Sequence, residues 1–314
     1  MHALSNAIEV HELTRSFPGV LAVDRLSFSV RKGEIFGLVG PDGAGKTTTM
    51  RMLAGVMAPD SGDVTVTGFN IKTSAESARH KLSYMPQRFG LYEELTVDEN
   101  IKFYAKLFGV KPAERDENAA RLLVAAGMSE FRGRQAGKLS GGMKQKLGLV
   151  CALTHTPDVI LLDEPTNGVD PVSRRDFWRI LYSLLGQGVT ILLTTAYLDE
   201  AERCHRVALL HEGRMLFCDT PARLKANLSG AIISVVTLQP REISELLSSQ
   251  EGVSNITAVG DGLHLAVSDA GKLIPEITEI ITAAGLPFET VEQVTPTMED
   301  LFIEAVTRTS GGAK

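Results

Sequence analysis

Cysteine is scarce in this 314-residue sequence, tryptophan occurs once, and no long apolar run is present. The three cysteines, Cys151, Cys204 and Cys218, form no CxxC pair. That excludes a disulfide scaffold or a thiolate metal centre, and they read as reduced, partly buried thiols. No apolar stretch approaches the ~18–20 residues that span a bilayer. The opening MHALSNAIEV has no basic stretch followed by an apolar core, so a secretory leader is not expected. The expected location is the cytoplasm, on the inner face of the membrane only through a partner. His2, His11, His80, His155 and His264 show no metal-ligand spacing, and no Ser-His-Asp or Cys-His nucleophile stands out. Internal repeats are absent, and only Ser310 to Lys314 reads as a disordered tail.

Charge is unevenly spread. Ala231 to Lys314 carries 4 Lys/Arg against 12 Asp/Glu, a net −8, whereas Met1 to Gly230 carries 28 against 26. An acidic surface repels phosphate backbones, so nucleic acid is not expected as a partner. A solvated face is a plainer account of this acidity than a specific partner surface.

The length suggests about two domains. Ile8 to Leu13 and Leu26 to Val30 alternate as strands. Glu34 to Val39 reads as a buried strand, followed by a helix from Lys46 to about Met57 and a strand from Asp63 to Thr67. Helical periodicity runs from Thr96 to about Val150, and Thr96 with Glu99 has capping-box spacing. Strands recur at Val159 to Leu162 and Val189 to Thr194, around a helix near Phe177 to Leu185 that holds Trp178 as packing. This alternation implies a mostly parallel sheet. Beyond Gly230 the texture changes. Strands are expected at Ala231 to Leu238, Ile256 to Val259, Leu263 to Val267 and Phe288 to Val294, with a turn at Gly260-Asp261-Gly262. Helices are expected at Glu242 to Ser248, Leu273 to Ala284 and, capped by Thr297 and Asp300, through Val306. No catalytic-looking cluster falls in this small α+β part.

Two segments carry chemistry. Gly40-Pro41-Asp42-Gly43-Ala44-Gly45-Lys46-Thr47-Thr48 fits G-x-x-x-x-G-K-[ST]. Its glycines let the backbone wrap phosphate oxygens, and its N–H groups with the following helix N-terminus supply positive potential. Lys46 neutralises β- and γ-phosphates, and Thr47 is a Mg²⁺ ligand. Further on, the apolar run Val159-Ile160-Leu161-Leu162 ends in Asp163-Glu164. Asp163 suits the Mg²⁺ shell, and Glu164 suits orientation and activation of an attacking water.

Between these segments stands Leu139-Ser140-Gly141-Gly142-Met143-Lys144-Gln145. An LSGGxxQ segment upstream of a strand ending in Asp-Glu resembles the signature and Walker B motifs of ATP-binding cassette (ABC) ATPases. The resemblance covers roughly Ile8 to Lys225. It implies a P-loop NTPase α/β fold: a RecA-like parallel sheet, an antiparallel β subdomain, and a helical subdomain at about 88–150. It implies ATP and Mg²⁺ as ligands. By the same resemblance Gln87 is the Q-loop glutamine, which senses the γ-phosphate and joins the metal site. Phe17 is the aromatic that stacks on adenine, and Asp170 belongs to the D-loop at the dimer seam. Ser140, Gly141 and Gly142 would close over nucleotide held by a second nucleotide-binding subunit. Ala231 to Val306 resembles the C-terminal extension of ABC-2-type drug and antibiotic exporter subunits, so a cassette is expected at 1–228 and an accessory domain at 229–314. Integral membrane permease subunits are then the expected partners, with Phe89, Leu91 and Tyr92 either contacting them or packing in the helical subdomain.

One position departs from the family. Thr194-Thr195-Ala196-Tyr197-Leu198-Asp199-Glu200-Ala201-Glu202 keeps the context of the switch histidine, but Ala196 stands in its place. Losing such a donor costs roughly 10²–10³ in rate. His205 and His211 lie farther along and are poor substitutes. A site that holds ATP and turns it over weakly favours a heterodimer whose partner carries the histidine. A soluble non-transport ABC ATPase, or an ATP-gated structural subunit of the transporter, are the alternative functions.

Overall fold

The computed structural model describes residues 5–260 and 262–311. The chain divides into two compact units, Met1–Cys218 and Asp219–Lys314.

The first unit begins with β1 (Asn6–Phe17), β2 (Val20–Arg31), β3 (Ile35–Val39), α1 (Lys46–Leu53), β4 (Ser61–Val66), β5 (Phe69–Asn70), α2 (Ala75–Arg79) and β6 (Leu82–Met85). It continues with α3 (Val97–Leu107), α4 (Pro112–Ala125), α5 (Gly141–Ala152), β7 (Val159–Asp163), α6 (Pro171–Gly186), β8 (Thr190–Thr195), α7 (Leu198–Ala201) and β9 (Arg206–His211). β10 (Arg214–Asp219) ends it. One sheet is antiparallel, in the order β2-β1-β4-β5. The other runs β10-β9-β3-β8-β7-β6, and its strands from β9 to β6 are parallel. Every residue of β3, β7 and β8 is buried, which is why their central positions are apolar rather than alternating. The two sheets share one core, in which Phe28 and Phe36 stack with ring centroids 5.4 Å apart.

Local chemistry sets the helix ends. Thr96 and Glu99 form the expected capping box at α3. α1 stops at Leu53 rather than near Met57, because the N–H groups of Val56 and Met57 turn back to the Arg51 carbonyl. Trp178 is fully buried in α6 and donates Nε1–H to Glu200.

The second unit contains α8 (Pro221–Ala226), β11 (Ala231–Val236), α9 (Pro240–Leu247), β12 (Val253–Val259), β13 (Gly262–Val267), α10 (Ala270–Ala283), β14 (Thr290–Val294) and α11 (Met298–Gly311). The sequence texture changes only at Gly230, but α8 already belongs to this unit, where it packs on α11. The antiparallel sheet runs β12-β13-β11-β14. On one face Ile233, Val235, Leu263 and Leu265 bury themselves against α9 and α10. Thr297 and Asp300 cap α11 reciprocally. That helix includes Ser310 and Gly311, which were expected in a disordered tail; 312–314, and Asp261 of the expected turn, lie outside the described residues. Among the described residues no helix is long and apolar enough to cross a membrane.

Candidate nucleotide site

Parallel strands deliver their following loops to one edge, which is where ligands of open α/β sheets bind. Here β3 leads into the Gly40–Thr48 loop, β7 ends at Asp163, and β8, which ends at Thr195, lies between them. Gly40 N–H donates to the Thr195 carbonyl at 3.3 Å, tying the loop to the end of β8. At Gly45 φ is +99°, and a Cβ would lie 2.4 Å from the Ala22 carbonyl oxygen, so only glycine fits this approach. α1 then starts with no side-chain cap and no acid in its first turn, leaving its N-terminal N–H groups and dipole to an anion.

Lys46 is buried, and its Nζ donates to the carbonyls of Gly40 (2.8 Å) and Pro41 (3.0 Å). It also pairs with Glu164 Oε1 at 3.1 Å. The other oxygen of Glu164, Oε2, accepts from Gln87 Nε2 at 2.9 Å and Asn167 Nδ2 at 3.1 Å. Lys46, Gln87 and Glu164, distant in sequence, therefore meet at one carboxylate. Glu164 adopts φ +47°, a left-handed backbone that costs a non-glycine residue about 1–2 kcal/mol. Its N–H donates to Thr194 Oγ1 at 2.8 Å, which holds that conformation.

Asp163 Oδ1 accepts from Thr47 Oγ1 (3.0 Å) and Thr194 Oγ1 (2.8 Å), while Oδ2 accepts from Tyr84 Oη at 3.3 Å. A carboxylate and a hydroxyl at this spacing form a hard-oxygen donor set of the kind Mg²⁺ takes. Burial, then the charge of Asp163, pushes the Tyr84 phenol up to about 12, so it stays protonated and donates.

The remaining expected residues lie elsewhere. Phe17 ends β1 partly exposed, with the Arg15 guanidinium 5.2 Å from its ring centroid. Ser140 caps α5, its Oγ accepting from Met143 N–H at 3.3 Å. A Cβ on Gly142 would stand 2.5 Å from the Ser173 side chain, so this glycine lets α5 approach α6. Asp170 caps α6 by accepting from Val172 and Ser173 N–H groups, and the Ser173 bond holds its carboxyl below the usual range. Ser140 and Asp170 thus bond within their own helices and Gly142 packs toward Ser173, apart from the Lys46–Glu164 cluster. Ala196 is exposed directly after Thr195. His205 accepts from Ile35 N–H at the opposite end of β3, so it does not reach the phosphate loop.

Family comparison covers both units. Residues 23–167 match the family described as ABC transporter, and residues 220–306 match the C-terminal domain of ATP-binding protein DrrA1-3-like. The linearmycin resistance ATP-binding protein LnrL of Bacillus subtilis (strain 168) is 32% identical over 307 residues, covering 96% of this chain and 99% of that protein. The chain belongs to the ABC transporter ATP-binding family. The chain is also 44% identical over 310 residues to the probable multidrug ABC transporter ATP-binding protein YbhF of Escherichia coli (strain K12). It spans 98% of its own length but about half, 52%, of YbhF. A solved structure of an ATP binding subunit of an ABC transporter superimposes with a TM-score of 0.64 at 31% identity, covering 70% of this chain and 92% of that one. The P-loop NTPase architecture expected from the sequence is thus the fold of the cassette.

Sequence reasoning did not single out three polar partners. Thr194 bridges Asp163 and Glu164, Asn167 holds Glu164, and Tyr84 holds Asp163. Thr194 had a signal: a hydroxyl at the C-terminal end of β8, in register with Asp163. Tyr197 Oη donates to Asn167 Oδ1 at 3.4 Å, with Arg174 over its ring at 4.1 Å, and no local pattern announces that chain of contacts.

Proposed function

We propose that the cassette is the ATP-binding and ATP-hydrolysing subunit of an ABC-2-type exporter for drug, antibiotic or lipid-like cargo. The observation that carries this is the convergence of Lys46, Gln87 and Asn167 on Glu164, beside the Thr47–Asp163 pair. Lys46 and the α1 N-terminus would hold the phosphates, and Thr47 and Asp163, with Gln87, would hold Mg²⁺. Bound Mg²⁺ supplies charge neutralisation at the phosphate oxygens. Gln87 and Asn167 keep Glu164 aimed, so that it can take a proton from the attacking water. Phe17 offers an exposed ring face for adenine. Ser140, Gly141, Gly142 and Asp170, outside the chain's own Lys46–Glu164 cluster, would complete the site of a second nucleotide-binding subunit.

Permease docking is supported by an apolar depression of about 500 Å³ in the first unit, lined in part by Val56, Tyr84, Leu107 and Phe108. Val56 and Leu107 are each 68% exposed. Tyr92 is also exposed, edge-on to Phe103 at 4.6 Å, whereas Phe89 is half-buried against Tyr104 at 4.8 Å. Tyr92 is thus the better contact residue, and Phe89 serves packing. Docking would hold the subunit at the inner face of the membrane. The names of LnrL and YbhF, a resistance protein and a probable multidrug protein, support the export direction.

Ala196 favours a second reading within the first, a subunit that binds ATP firmly and hydrolyses it slowly. Mg-ATP turnover of wild type beside Ala196→His tests both. A feeble wild-type rate raised by about 10²–10³ assigns an ATP-holding subunit that works with a histidine-bearing partner. A brisk wild-type rate that the histidine leaves unaltered removes the second reading. Failure of both proteins to bind ATP overturns the first.

A further inference from the structure

Asn167 is bonded at both ends of its side-chain amide. A carboxylate accepts, so Glu164 Oε2 takes the Asn167 Nδ2–H at 3.1 Å and leaves the amide oxygen Oδ1 turned elsewhere. That oxygen stands 3.4 Å from the Tyr197 hydroxyl, and an amide oxygen also only accepts, so the phenol donates. The direction of both bonds is therefore fixed, from Tyr197 to Asn167 to Glu164. Tyr197 belongs to the loop after β8, directly beside Ala196.

Two contacts hold Tyr197 in place. Its N–H donates to Thr195 Oγ1 at 2.9 Å, which sets the backbone of the loop. The Arg174 guanidinium of α6 lies 4.1 Å from its ring centroid, within the ~6 Å of a cation–π contact. Arg174 in turn sits 3.9 Å from Asp199 Oδ2 and 3.8 Å from Glu200 Oε1. Glu200 is buried and accepts from Thr166 Oγ1 at 2.6 Å and Trp178 Nε1 at 3.2 Å. Thr166 and Asn167 are consecutive. The loop that carries Asn167 is thus tied to the same buried carboxylate as the arginine that holds Tyr197.

These contacts matter because Asn167 is exposed. An asparagine amide turns readily about χ2, so a single bond would let it exchange Glu164 for water. A second bond at Oδ1 locks the amide, and donation to that oxygen strengthens the N–H at its other end.

We propose that Tyr197 is a positioning residue for ATP hydrolysis: by donating to Asn167 it locks the amide that aims Glu164. It acts through Asn167 and is assigned no contact with nucleotide. The assignment rests on the proposed role of Glu164 as the base. With Ala196 in place of a histidine, the loop after β8 then serves the site through its next residue.

The test is single-turnover cleavage of radiolabelled Mg-ATP by the full chain in excess, which reads slow rates as well as fast ones. Affinity is read separately, by titration calorimetry with a slowly cleaved ATP analogue. Tyr197→Phe keeps the ring under Arg174 and removes only the donor. Cleavage should slow by about three- to tenfold, with the Kd for the analogue unchanged within about twofold. Asn167→Ala should slow cleavage further. Adding Tyr197→Phe to it should then have no effect, because the bond that it removes is already gone. Thermal melts check that each variant is folded. Equal cleavage by Tyr197→Phe and wild type, a loss that adds in full to that of Asn167→Ala, or a loss accounted for by weaker nucleotide binding overturns the proposal, while a cleaving wild type leaves the role of Glu164 standing. A wild type that binds the analogue and never cleaves ATP removes the base role of Glu164, and the proposal with it.

Discussion

Five buried polar side chains of the first unit, Lys46, Asp163, Glu164, Thr194 and Thr195, lie together where its parallel strands end. Among the described residues of the second unit the buried polar side chains are Thr237 and Asp300. Thr237 donates to the Pro287 carbonyl, and Asp300 caps a helix and holds His264. Topology accounts for much of the contrast. Parallel strands bring several loops to one edge, where polar residues meet without breaking a ladder. Antiparallel neighbours such as β12 and β13 do not share one loop edge, and their polar residues must face outward or cap an element. The first unit thus links several charged and hydroxyl side chains into one cluster at that edge, and the second uses its buried polar groups singly, in caps and local bonds.

The largest expected effect tests the first half of that contrast. Glu164→Gln removes the proposed base while keeping the shape, and Gln87 and Asn167 retain an oxygen to bond. Turnover should fall by about 10²–10⁴, with ATP binding retained. A variant that still turns over within a few-fold of wild type would show that Glu164 is held for structural reasons. Next in size is a core deletion in the second unit. Ile277 of α10 is fully buried, and Ile277→Ala should cost about 2–5 kcal/mol of stability in that unit. Denaturant unfolding reads the loss, and ATP turnover per folded molecule should not change. A parallel drop in turnover would break the separation of the two units' roles.

A smaller effect is expected from Thr194→Val, which keeps the β-branched shape and removes both the bond to Asp163 and the acceptor for Glu164 N–H. Stranding those groups costs about 1–3 kcal/mol. About a tenfold loss in turnover should follow, with a raised Mg²⁺ requirement. An unchanged Mg²⁺ dependence would separate Thr194 from the proposed metal site at Asp163.

Legibility follows the same division. Lys46, Thr47, Asp163 and Glu164 were visible in the sequence because the chemistry of a phosphate loop and a strand-end carboxylate fixes both residue type and order. Thr194, Asn167 and Tyr84 were not singled out, because ordinary hydroxyls and amides become site residues only through pairing of distant strands. Ser140 to Gly142 could be read only through resemblance, since their local role is to cap and pack α5. In the second unit every strand and helix from β11 onward was visible as periodicity, with ends shifted by a few residues. The membership of α8 was not, because its packing on α11 spans more than seventy positions.

The smallest effect concerns His155, at the margin of the apolar depression rather than in the nucleotide site. Its ring stacks on Phe108 at 4.0 Å, and Nε2 lies 3.3 Å from the Leu82 carbonyl. Burial holds the imidazole below its ordinary pKa, and nearby His80 acts in the same direction. The unfolded chain therefore takes up a proton near pH 6.5 that the folded chain refuses until lower pH. Stability from this residue is complete above about pH 6.5 and declines as the pH falls toward the depressed folded value. Glu99 and Asp170 have lowered carboxyl values, so their losses fall in a more acidic window and do not overlap. Thermal melts at pH 7.5 and 5.5 should show wild type losing more than His155→Phe, which keeps the stack on Phe108 and cannot titrate. Equal losses in the two proteins would move the source of the pH dependence elsewhere and leave the docking depression indifferent to protonation.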